Sequence, residues 1–72
     1  MMLKDVNEGK SCVIEKIQLP EQMTHHLQAL GMTDKAAVSV VKRKGKGIVI
    51  IKLRGSRFAL GYNITKNIKV RC

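Results

Sequence analysis

Glycine punctuation limits what this 72-residue chain can fold into. Glycines at 31, 45, 47, 55 and 61 cut its second half into runs too short for long helices. Within those runs apolar and polar residues alternate, which puts successive side chains on opposite faces of short, half-buried strands. A chain of this length forms one domain, residues 1–72, and buries only about 60% of its unfolded surface. A deep substrate cleft with its supporting shell would consume most of that core, so a self-contained enzyme is not expected.

The elements follow from pattern and punctuation. Leu3 to Gly9 reads as a lead-in ending in a turn at Asn7-Glu8-Gly9. The first strand spans Ser11 to Leu19, with Val13 and Ile17 on one face and Cys12 and Ile14 on the other. Pro20 suits the first position of a helix over 20–30, because that position needs no N–H donor. Met23, Leu27 and Leu30 fall at i, i+4 and i+7, a stripe expected to dock on the sheet. Gly31 follows where a left-handed cap favours glycine. From Ala36 the period switches to two, with Val38 and Val40 alternating with Ala37, Ser39 and Val41 in a second strand, and Lys42-Arg43-Lys44-Gly45-Lys46-Gly47 reads as a basic hairpin loop. Ile48 to Arg54 forms a third strand, apolar on both faces and therefore interior. Gly55-Ser56 turns into a fourth, Arg57 to Leu60; Gly61-Tyr62-Asn63 makes another turn, and Thr65 to Asn67 a single helical turn. In the fifth strand Ile68 and Val70 point inward while Lys69 and Arg71 point out. Five short strands and one helix, in a chain this small, are expected to close into an SH3-like barrel that removes bare sheet edges, with an OB fold as the alternative.

Charge is polarised along the chain. Residues 1–34 hold three lysines and five acids, net −2, whereas residues 35–72 hold eleven Lys or Arg and no acid, net +11. Such a half attracts an acidic protein surface, an anionic membrane or nucleic acid. Lys42, Arg43, Lys44 and Lys46, with Arg54 and Arg57, are the candidate partner-binding residues; lysines that keep a loop soluble are the plainer reading. The aromatics are only Phe58 and Tyr62, which leaves no stacking platform for single-stranded nucleic acid.

Other chemistry is sparse. No Ser/His/Asp set, paired carboxylates or phosphate loop occurs, so no catalytic residue is assigned. His25 and His26 point about 100° apart on a helix and are expected neither to share a metal nor to have an acidic helical partner. With Cys12 they are the weak candidates for Fe2+ or another transition metal. Cys12 and Cys72, sixty residues apart, show no zinc spacing and are expected as reduced thiols of a cytoplasmic protein. The N-terminus has acidic and polar residues where a leader would be apolar.

Leu3 with Gly9, Ile14 and Ile17, Leu27-Gln28-Ala29-Leu30-Gly31-Met32, Val38 and Val40, Gly55-Ser56-Arg57-Phe58-Ala59-Leu60-Gly61 and Ile68-Lys69-Val70 together resemble the FeoA family. The resemblance spans nearly the whole chain. It implies an SH3-like barrel in which Leu27, Leu30, Gly31, Gly55, Ala59, Leu60, Ile68 and Val70 serve the fold. It further implies a non-enzymatic accessory module of ferrous iron uptake that docks on the cytoplasmic part of FeoB, a GTP-binding membrane transporter. Transition-metal binding is a common family assignment. The chain departs from the family pattern at His25-His26, where Arg is frequent, and at Asp34-Lys35, where Pro-Gly is frequent. The alternative is a small basic SH3-like or OB-like nucleic-acid binder, although no specific nucleic acid is expected.

Overall fold

The computed structural model describes residues 1–72. A 3-10 turn at Leu3–Asp5 precedes β1 (Ser11–Ile17), α1 (Glu21–Ala29), β2 (Ala37–Lys44), β3 (Ile48–Leu53), β4 (Ser56–Leu60), α2 (Tyr62–Thr65) and β5 (Ile68–Arg71). The strands form one antiparallel sheet in the order β4-β3-β2-β1-β5. All five strands contribute to one cluster of 14 buried apolar residues, so the sheet curls around its own inner face. This is the expected mainly β, SH3-like arrangement. No helix is long and apolar enough to cross a membrane.

Two β-bulges set which side chains face the core. Ile14 pairs with Val70 and Lys16 with Lys69, leaving Glu15 as the extra residue of β1. Ile17 then pairs with Ile68 and joins the Ile14 face, not the Val13 face that strict alternation predicts. In β2, Val40 pairs with Ile51 and Lys42 with Ile50, so Val41 is the extra residue. A bulge opposes two residues to one and re-aims every side chain beyond it.

Helix α1 is shorter than expected. Pro20, with an extended ψ of 148°, caps the helix from outside and does not occupy its first turn. At the other end Gly31 (φ +101°) donates to Gln28 O, and Met32 donates back to Leu27 O. That pair of bonds is the Schellman arrangement, which brings the residue after the glycine onto the last turn. Met32 is accordingly fully buried beside Leu27. The predicted stripe is corrected: Leu27 is 2% exposed, but Met23 is 41% and Leu30 37% exposed. The Schellman reversal turns the chain inward at Met32, which takes the place assigned to Leu30.

Further corrections concern turns and termini. The lead-in is core, because Leu3 and Val6 are fully buried and Val70 N–H donates to Met1 O. The β3–β4 turn is Arg54-Gly55, both at positive φ (+52° and +83°), which matches a two-residue hairpin turn of the type that follows strand twist. Ala59 pairs with Ile50 on the outer face and is exposed, while Leu60 packs inside. Helix α2 starts at Tyr62, three residues before the predicted helical turn. Lys35, where the FeoA pattern has glycine, holds φ +67°. The cysteines are not separate thiols. Val13 opposes Arg71, so Cys12 and Cys72 fall opposite each other and are joined in a disulfide.

Leu27→Ala removes a buried side chain that the Schellman turn packs against Met32 and should cost about 2–5 kcal/mol. Met23→Ala on the same helix should change stability by less than about 0.5 kcal/mol. Urea unfolding of both variants checks the difference.

Candidate functional site

The bulge at Val41 sorts the basic residues onto two surfaces. Beyond it Lys42 and Lys44 face outward, opposite Ile50 and Ile48, whereas Arg43 pairs with the buried Val49 and turns to the other side. Half of the segment predicted as a loop is thus strand, Lys42 to Lys44, and Gly45, Lys46 and Gly47 form the turn. A basic run that would be diffuse in a loop is divided by strand geometry.

The first surface is the outer face of β2, β3 and β4. Ser39, Lys52 and Arg57 form one cross-strand row, and Lys42, Ile50 and Ala59 form the next. Lys44 and Ile48 end the face. Lys42, Lys44, Lys52 and Arg57 are all exposed, and Ile48 is 39% exposed among them. The two ion pairs in the structure are Lys4–Asp5 and His25–Glu21, so no carboxylate neutralises this face. Lys52 is the member that the sequence reading omitted; its signal is its place in the apolar alternation of Ile48 to Leu53. Arg54 stands apart, at the opposite end of β3 from Ile48, about 20 Å along the strand.

The second surface is a cleft of about 310 Å³ lined by Lys4, Asp5, Arg43, Lys46, Gly47 and Tyr62. Arg43 is half-buried; its Nη2 donates to Lys4 O at 2.8 Å, and its backbone N–H donates to Glu8 Oε1 at 2.8 Å. Arg43 therefore has a structural share that the lysines lack. Gly47 (φ +78°) packs on Tyr62 so closely that a Cβ there would overlap the ring. Thr65, the sole buried polar residue, donates its hydroxyl to Gly47 O at 2.8 Å and holds the turn against α2. Lys66 lies over the Tyr62 ring, 5.5 Å from its centroid.

The metal candidates do not converge. His25 and His26 are exposed on α1, and no three His, Cys, Asp or Glu side chains come together. Glu21, four residues before His25, puts Oε1 3.7 Å from its Nε2, an acidic partner that the sequence expectation missed. The Cys12 sulfur is held in the disulfide. These residues do not compose a transition-metal centre. No catalytic constellation accompanies either surface.

A family model described as the FeoA domain matches residues 1–72. No curated protein matches the sequence. Among solved structures, an iron uptake regulatory protein (FeoA) is 26% identical with a TM-score of 0.83, covering 96% of this chain and 90% of its own. A Stenotrophomonas maltophilia FeoA complexed with zinc, described as a prokaryotic SH3 domain protein, is 25% identical with a TM-score of 0.81, covering 97% and 88%. A manganese-dependent transcriptional repressor, 18% identical with a TM-score of 0.87, shares the fold: the match covers 99% of this chain and 40% of the repressor.

The geometry of the turn predicts opposite outcomes for two neighbouring glycines. Gly47→Ala meets both positive φ and the Tyr62 ring and should destabilise by about 1–3 kcal/mol. Gly45→Ala meets no atom within 4 Å and has no positive φ, so it should be neutral or stabilising by up to about 1 kcal/mol. Thermal or urea unfolding of the two variants measures this.

Proposed function

The chain belongs to the FeoA family, and from that membership we propose that it is a non-enzymatic accessory module of bacterial ferrous iron uptake. It works in the cytoplasm and docks on the cytoplasmic part of a FeoB-type, GTP-binding membrane transporter. The observation that carries this reading is the family match over all 72 residues. The outer face of β2, β3 and β4 supports it by offering a surface for the contact. Its four cations ring the partly exposed Ile48 and Ile50, so an acidic protein surface gains charge complementarity at the rim and apolar burial at the centre.

The rival reading, nucleic-acid binding, has less support. Phe58 is half-buried on the inner face opposite Ile51, and Tyr62 belongs to the cleft, so the basic face presents no aromatic for base stacking. An anionic leaflet beside the transporter would add roughly 1 kcal/mol per lysine near its surface. Iron here is cargo of the transporter, and this chain contributes no assembled ligand set for it.

Charge reversal tests the docking face without touching the half-buried Arg43. The triple variant Lys42→Glu, Lys44→Glu, Arg57→Glu should weaken binding to the transporter's cytoplasmic domain by about 100-fold at low salt, mainly through the on-rate. The wild-type affinity should fall steeply as salt rises. Stability should change by no more than about 1 kcal/mol. Unaltered affinity in the triple variant, or nanomolar sequence-selective RNA binding with none for the transporter, would contradict the proposal.

A further inference from the structure

The molecule has one cleft, and three of its six lining residues are cationic. Lys4, Arg43 and Lys46 contribute three positive charges and Asp5 one negative, which leaves a net charge of +2. Asp5 is already taken by Lys4 at 3.0 Å, and neither Arg43 nor Lys46 has an acidic side chain as partner. Glu8, the other acid nearby, accepts from the Arg43 backbone and not from its side chain. The guanidinium uses one donor on Lys4 O, so it is fixed in direction while the rest of its five N–H groups stay free. The Lys46 and Gly47 N–H groups donate to no backbone carbonyl, and both residues have positive φ (+66° and +78°). Successive turn N–H groups of this kind form anion-binding concavities.

We propose that this cleft is a binding site for a phosphate monoester, in which Arg43 and Lys46 hold the phosphoryl oxygens and the Tyr62 ring packs against the group that carries them. A phosphate monoester approaches a charge of −2 at neutral pH and presents three acceptor oxygens. That charge neutralises the +2 lining, and the oxygens match a fixed guanidinium fork better than a monovalent anion does. Tyr62 is 47% exposed, and with Gly47 packed on its ring and Lys66 over it, the open edge of the ring is what meets the group that carries the phosphate. The site is separate from the docking face, because the Val41 bulge sends Lys42 and Lys44 to the other side of the sheet. Its occupancy is therefore measurable on the isolated chain, whatever the outcome for the transporter.

The test is a titration of the 15N-labelled chain at constant ionic strength with inorganic phosphate, ribose 5-phosphate and AMP, followed by two-dimensional NMR. Saturable shifts at the Lys46 and Gly47 amides are expected with all three. Tighter AMP binding with movement of the Tyr62 ring signals assigns the ligand to the nucleotide class, and equal affinities assign it to the phosphoryl group alone. Lys46→Gln should weaken phosphate binding by about tenfold, and Arg43→Lys, which keeps the charge but loses the fork, should also weaken it. Lys69→Gln, on β5 and outside the cleft, should change it by less than about twofold. Shifts that never saturate, shifts confined to residues outside the cleft, or an equal loss in Lys69→Gln would overturn the proposal.

Discussion

The hydrogen bond from the Thr65 hydroxyl to the Gly47 carbonyl, 2.8 Å long, ties together parts of the chain 18 residues apart. Thr65 is the single buried polar residue, so its hydroxyl has to be satisfied internally. It fastens the β2–β3 turn to α2, the segment that leads from the β4 edge of the sheet to β5 at the other edge. Gly47, lacking a Cβ, lets Tyr62 pack flat against the turn. The cleft wall, the end of the hairpin and the entry into β5 thus share one small contact. An isosteric Thr65→Val change would leave the Gly47 carbonyl buried without this donor.

A second constraint decides where the basic residues lie. The extra residue at Val41 breaks the alternation of β2, and without it Lys42 would point into the core. The bulge therefore solves a burial problem and, as a consequence, separates the cations. Lys42 and Lys44 join Lys52 and Arg57 on a broad outer face, while Arg43 and Lys46 line a concave site with Lys4. A flat charged face suits a protein surface, where complementarity sets encounter rate and register. An open cleft with a directed guanidinium suits a small anion. One run of basic sequence lines both surfaces because its strand is one residue too long for its partner.

Much of this was legible in the residues. Gly31, Gly55 and the inward pair Ile68 and Val70 occupy the roles that local chemistry assigns them, and the five strands follow from alternation and glycine spacing. The errors trace to long-range pairing. The bulges at Glu15 and Val41 leave no local mark, so alternation alone puts Ile17 on the wrong face, and Lys42 to Lys44 read as loop where the structure has strand. Leu30 satisfies helical periodicity, yet the reversal at Gly31 buries Met32 in its place. The pairing of Cys12 with Cys72 follows from β1 lying beside β5, a neighbourhood that an SH3-like barrel implies; the expectation of reduced thiols in a cytoplasmic chain is what points away from it. Three of the four cations of the outer face, Lys42, Lys44 and Arg57, are legible in the sequence, whereas Lys52 joins them only through its cross-strand position. Lys4 was invisible as a site residue, since the 3-10 turn alone brings it to the cleft.

In the proposed function the outer face of β2, β3 and β4 is the surface that meets the transporter. Methyl cross-saturation on a deuterated, methyl-labelled chain bound to the protonated cytoplasmic domain of a FeoB-type transporter reads that contact directly. The Ile48 and Ile50 methyl signals should lose intensity while that of Met23, exposed on α1, keeps it. Attenuation of Met23 with Ile48 and Ile50 untouched would contradict the account and move the interface to the helix.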